Sequence, residues 1–137
     1  MIDVTEEIIS SSLRIATPLA LAALGELVTE KSGVLNLGVE GIMYGSAFVG
    51  IATAAQTGSL TAGLLAALIS GALAGLIFAF ATVTLGVNQH VAGLGLTLFM
   101  ISFCNTANRI IFTADGGQVR VDPWQPLNLG GPIFSQY

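Results

Sequence analysis

The segment at residues 60–85 contains no charged side chain over its whole length. A helix needs roughly 20 apolar residues to cross the hydrocarbon core of a bilayer. The segment is therefore predicted to be a membrane-spanning helix, and its excess length requires tilt or an end at the interface. A soluble domain is excluded, because a chain of this size would have to cover itself with polar side chains.

The rest of the chain agrees with a membrane protein. Hydrophobic residues make up 53% of the sequence and charged residues 9%, whereas soluble domains carry about 25% charged residues. Three further segments, residues 8–28, 39–55 and 91–112, have suitable length and apolar character. We predict an all-α membrane fold, a polytopic helical bundle with about four transmembrane helices. Residues 113–137, rich in glycine and proline, are predicted to form an extramembrane loop.

The connection between the first two segments is unusual. Over residues 29–41, polar and glycine positions alternate with aliphatic ones. Non-helical backbone at membrane depth survives only when it is buried in protein or lines a wet cavity, so a re-entrant or broken connection before the second helix is expected. Glu26 and Glu40 bracket it and must face protein or water. Structural hydrogen bonding, for example to backbone amides of the connection, is the favoured role for both, ahead of substrate contact.

The turn before the fourth helix carries Asn88, Gln89 and His90. Asn88 is suited to capping the helix that follows. With one histidine and one cysteine, the chain offers no ligand set for a metal, and no cofactor is predicted. The phosphate-binding, nucleophile-elbow and HExxH motifs are absent, so the chain is not expected to be an enzyme. Neither sign of charge forms a run, which argues against a nucleic acid partner.

A stripe of small residues follows the third helix at four-residue spacing. Such a stripe allows close approach of a neighbouring backbone, and a packing face is favoured over a dimerisation surface. Gly41 and Gly45 form a shorter version in the second helix, which predicts that the second and third helices are interior members of a tight bundle. The helix-packing residues of the stripe are Gly63, Ala67, Gly71, Gly75 and Ala79.

Two stretches resemble a known family. Residues 22–43, AALGELVTEKSGVLNLGVEGIM, resemble the permease subunits of bacterial ABC importers of the nucleoside and simple-sugar type. These belong to a broader group with ribose-type and branched-chain amino acid permeases. Residues 86–96, GVNQHVAGLGL, are similar to the next signature of that family, although His90 replaces the aliphatic residue usual there.

The resemblance implies that residues 1–137 are the N-terminal part of a transmembrane permease domain in the bacterial inner (plasma) membrane. The whole would be the multi-pass permease subunit of an ATP-driven ABC importer whose solutes are nucleosides or simple sugars. Its implied partners are a second permease subunit, cytoplasmic ATP-binding subunits that hydrolyse ATP, an extracytoplasmic solute-binding protein and membrane lipid. The N-terminus would face outward, and Lys31 and Asn88 inward.

Several polar side chains could contact a solute in transit, and each is equally suited to hydrogen bonding between helices. Asn36 and Asn88 are the strongest of them, and Asn105 and Asn108 in the fourth helix are further possibilities. An alternative function is a small non-transporting membrane scaffold or assembly protein, in which the small-residue stripe drives association. The substrate-path candidates are Asn36, Glu40, Asn88 and Gln89.

Overall fold

The computed structural model describes residues 2–112, apart from the side chains of residues 2, 3 and 6. Within this range the chain forms helices and no strand, which confirms the predicted all-α fold class. The predicted loop at residues 113–137 lies outside the described residues. The elements are α1 (Ile2–Lys31), α2 (Val39–Thr57), α3 (Leu60–Ala79), a π-helical segment (Phe80–Thr84) that continues α3, and α4 (Gln89–Phe112).

Three stretches of the described chain are long and apolar enough to cross a membrane: Glu7–Lys31, Leu60–Thr84 and Gln89–Phe112. Leucine and isoleucine side chains are exposed along α1, α3 and α4. This exposure is expected where hydrocarbon is the solvent, since contact between apolar side chains and lipid tails carries no hydrophobic penalty. α1 begins at Ile2 rather than at residue 8. The prediction began at residue 8 because only the apolar part of a helix was compared with the thickness of the membrane.

A glycine ends α1 and starts the connection to α2. Gly33 has a φ of 86°, a left-handed conformation that glycine adopts without steric cost. Its N–H donates to the Glu30 carbonyl at 2.9 Å, and the Val34 N–H donates to the Thr29 carbonyl at 3.2 Å. These two bonds form a Schellman motif, which satisfies the last carbonyls of α1 and turns the chain back toward the bundle.

The predicted third helix, residues 60–85, is not one uniform α-helix. At Phe80 the backbone widens into a π-helical turn, and the Leu85 N–H reaches the Phe80 carbonyl at 3.1 Å. Thr82 bonds back to the Phe78 carbonyl at 2.9 Å, an interaction that tends to bend helices. The segment ends before Gly86, whose φ is 66°.

The directions of the helices follow from the contacts along α2. Gly41 faces Thr97 and Gly45 faces Met100. Residue numbers therefore increase in the same direction along both helices, and α2 runs parallel to α4. Gly50 faces Gly63, whereas Ser46, earlier in α2, faces Gly71, so α2 and α3 are antiparallel. Within the described part, α2 is the helix that contacts α1, α3 and α4.

The small-residue stripe of α3 contacts α2 over part of its length. A Cβ added at Gly63 would lie 2.7 Å from the Gly50 carbonyl oxygen, and one at Gly71 would lie 3.5 Å from the Ser46 Cβ. Ala67 lies against Gly50, while Gly75 has nothing within 4 Å of such a Cβ and Ala79 is exposed. A packing role for the whole stripe stays a prediction.

Gly41 and Gly45 face α4 rather than α3. The two short small-residue patterns of α2 and α3 therefore do not face each other. The α2 positions that face α3 are Ser46, Gly50 and Ala54, which lie further along the helix than Gly45.

Candidate functional site

The connection at residues 32–38 is held between α1 and α4 by two side-chain acceptors. The Asn36 N–H donates to Oε1 of Glu26, on α1, at 2.8 Å. The N–H of the preceding residue, Leu35, donates to Oε1 of Gln89, in the first turn of α4. Two consecutive backbone amides thus bind two different helices, and the expectation that Glu26 binds backbone amides of the connection is confirmed.

Asn36 is the buried polar side chain of this region, with 8% of its surface exposed. Its Oδ1 accepts the N–H of Gly38 at 3.0 Å, the local bond of an Asx-turn. The Asn36 carbonyl accepts the Val39 N–H at 3.3 Å, where α2 begins. Side chains and local turns therefore satisfy the backbone that no helix satisfies, as an apolar environment requires.

A glycine on α4 permits the connection to lie directly against that helix. A Cβ at Gly93 would lie 2.8 Å from the backbone nitrogen of Gly38 and 2.9 Å from the carbonyl carbon of Leu37. Carbon atoms in ordinary contact are about 3.5–4.0 Å apart, so no side chain fits here without displacement. Gly93 thus sets the distance between α4 and the connection.

Asn88 and Gln89 have different roles in the same turn. Oδ1 of Asn88 accepts the His90 N–H at 2.9 Å, so Asn88 is the N-cap of α4, as its position before that helix predicts. Gln89, the next residue, is half-buried and reaches the connection. The cap fixes where α4 begins and hence where the Gln89 side chain lies.

The structure brings Asn36 and Gln89 together around the connection and places Asn88 beside them, while Glu40 lies apart. Glu40 is exposed in the first turn of α2, and its carboxylate makes no hydrogen bond to any described residue. The bonding expected of Glu40 is therefore not seen in the described part of the chain. A substrate-path role for the four residues stays a prediction.

Two features of the site were not predicted from the sequence: the Gln89 bond to Leu35 and the contact at Gly93. The helix spacing of Gly93 and Thr97, matching that of Gly41 and Gly45, is a signal that could have identified the tight face of α4. Chemically, the site offers hydrogen-bond acceptors for backbone amides and one carboxylate. Among the described residues, no group of three histidine, cysteine or acidic side chains could hold a metal.

Comparison with known proteins gives a family match over most of the chain. Residues 8–128 match the family described as the permease component of the branched-chain amino acid transport system. A protein of Haloferax volcanii, provisionally named as a glucose ABC transporter permease, is 40% identical over 66% of this chain and 28% of its own length. No solved structure matches this chain.

Two further relatives are bacterial. The guanosine ABC transporter permease protein of Bacillus subtilis is 35% identical over 74% of this chain and 36% of its own length. The nucleoside ABC transporter permease protein of Lactococcus lactis is 33% identical over 72% of this chain and 33% of its own length. The chain spans about a third of the length of the curated relatives it matches.

Proposed function

The chain belongs to the family of branched-chain amino acid transport system permease components, and from that premise we propose that it forms part of the membrane-spanning permease of an ATP-driven ABC importer. Its solutes are nucleosides or simple sugars, the classes named for the relatives. The permease is a multi-pass protein of the plasma membrane. Its described helices include three that are long and apolar enough to span one.

The observation that carries the proposal is the non-helical connection at residues 32–38. Irregular backbone among membrane-spanning helices persists only where protein or a water-filled cavity satisfies it. Here a carboxylate from α1 and a carboxamide from α4 hold it, at Glu26 and Gln89. A membrane scaffold could use continuous helices, whereas a permease needs a region where helices can change their relation to one another.

The geometry supports a coupling role for the connection. It is tied to α1 through Asn36 and to α4 through Leu35, and it leads directly into α2. A displacement of α1 relative to α4 therefore moves the start of α2. In an importer that alternates between inward-open and outward-open states, such a segment transmits movement between the helices that surround the solute.

The partners follow from the proposed function. A second permease subunit completes the membrane domain, cytoplasmic ATP-binding subunits hydrolyse ATP, and an extracytoplasmic solute-binding protein delivers the solute. The relatives are permeases, and ATP hydrolysis is assigned to separate subunits. The family match favours this function over the alternative of a non-transporting scaffold.

Uptake by the complete transport system tests the proposal. Cells lacking the system and cells expressing it are given radiolabelled guanosine, uridine, glucose, ribose and leucine, one at a time. We expect ATP-dependent uptake of at least one nucleoside or sugar. Uptake of leucine alone would overturn the proposed solute class, and uptake of none of the five would overturn transport of these solutes.

A further inference from the structure

A groove runs between α2 and α4 beyond the connection. Its volume is about 240 Å³, larger than the roughly 150 Å³ of an apolar cavity that binds benzene. It is therefore large enough for a small ring-shaped solute. The residues that define it are Tyr44, Phe48, Cys104, Asn108 and Phe112.

The position of the groove follows from the side chains along the two parallel helices. α2 and α4 come closest where Gly41, in the first turn of α2, lies against Thr97, in the third turn of α4. Further along, aromatic side chains replace glycine on the facing surfaces, at Tyr44 and Phe48 on α2. Helices that are close at small residues separate where larger ones meet, and the groove occupies the space that results.

The groove contains polar groups suited to a ligand. The Tyr44 hydroxyl donates to Oδ1 of Asn105 at 2.9 Å. Asn108 lines the groove, and its carboxamide makes no hydrogen bond within the described part of the chain. A carboxamide in an apolar environment needs a partner. Asn108 lies in the last turns of α4, where the groove can receive water and solute from the membrane surface.

The lining indicates the chemical class of the ligand. No described residue that lines the groove is charged, so nothing there would compensate the two charges of a free amino acid. Aromatic faces bind the apolar face of a ring, while carboxamides bind hydroxyls or the edge of a nucleobase. A neutral ring with a polar edge matches both properties.

We propose that the groove between α2 and α4 is a binding site for a neutral, ring-bearing solute, with Tyr44 and Phe48 against the ring and Asn108 at its polar edge. Nucleosides and simple sugars share this chemistry. The inference rests on the proposed function and adds the location of a solute site, between the middle of α2 and the C-terminal half of α4.

Cysteine accessibility tests the location. In the complete transporter, Asn108→Cys is labelled with a charged, membrane-impermeant methanethiosulfonate, with and without saturating guanosine or glucose. Ile110→Cys is the matched control, because Ile110 lies at nearly the same depth on α4 and is 76% exposed. The unsubstituted protein, in which Cys104 is 2% exposed, gives the background.

We expect the transported solute to slow labelling of Asn108→Cys severalfold and to leave Ile110→Cys unchanged. Protection by guanosine alone assigns the site to nucleosides, and protection by glucose alone assigns it to sugars. Absence of labelling at Asn108→Cys, or labelling at one rate with and without either solute, would overturn the proposal.

Transport kinetics give a second readout. Loss of one hydrogen bond weakens binding by about three- to tenfold, so Asn108→Ala is expected to raise KM by this factor while the protein still elutes as an intact complex. Asn108→Gln, which keeps a carboxamide, should recover part of the loss. An unchanged KM in Asn108→Ala, with normal uptake by the wild type, would overturn the groove site alone. Failure of wild-type uptake would instead overturn the proposed function.

Discussion

Replacing Gly93 by alanine places one methyl group against the backbone of the connection. Its carbon would lie 2.8 Å from the Gly38 nitrogen and 2.9 Å from the Leu37 Cβ. Since ordinary contacts are about 3.5–4.0 Å, α4 and the connection must separate by roughly 1 Å. Overpacking of this kind costs about 1–3 kcal/mol.

The separation also pulls Gln89 away from the Leu35 N–H. Leaving this half-buried amide unpaired costs about 1–3 kcal/mol more, while alanine gains about 0.5–1 kcal/mol over glycine within a helix. We expect a net loss of roughly 2–4 kcal/mol in the free energy of unfolding. The measurement is unfolding of the complete permease in detergent micelles, followed by intrinsic fluorescence.

Gly95→Ala is the matched control for this prediction. Gly95 lies two residues further along α4, and a Cβ there would have nothing within 4 Å. Its substitution should leave stability unchanged or raise it by about 0.5–1 kcal/mol. If Gly93→Ala and Gly95→Ala unfold with the same free energy, the close contact between α4 and the connection does not exist in the protein.

Three further predictions concern the connection, the cap and the stripe. Glu26→Ala removes the acceptor of the Asn36 N–H and should lower the unfolding free energy by about 1–3 kcal/mol. Glu26→Gln keeps an acceptor and should recover most of that loss. Equal losses in the two variants would show that the charge of Glu26, not the hydrogen bond, matters. Asn88→Ala removes the N-cap of α4 and should cost about 1 kcal/mol, measured by the same unfolding assay, with Asn88→Ser close to wild type. Gly71→Leu should lower the melting temperature because its side chain meets Ser46, and Gly75→Leu should not; equal melting temperatures for the two variants would exclude Gly71 from the packing face.

The helices were predictable from the sequence because length and hydropathy determine them. Residues 60–85 could hardly form anything other than a membrane helix, and Asn88 had the chemistry of an N-cap. The change from α to π at Phe80 was not predictable. The two helix types share the same apolar composition and differ only in which carbonyl each amide reaches, and no residue in that stretch specifies the difference.

The sequence also did not show which helix each small residue contacts. A stripe such as Gly63, Gly71 and Gly75 shows that a close approach is possible on one face, but not which helix makes it or over what length. In the structure, the tightest contacts at the site involve Gly41 on α2 and Gly93 on α4. These two helices are parallel and in contact, but α3 lies between them in the sequence. That pairing arises only after α3 has carried the chain back across the bundle, so it depends on the topology rather than on any local pattern. The same topology brings Glu26 and Gln89 to neighbouring amides of one connection, so their bonds to it, rather than their spacing in the sequence, define the site.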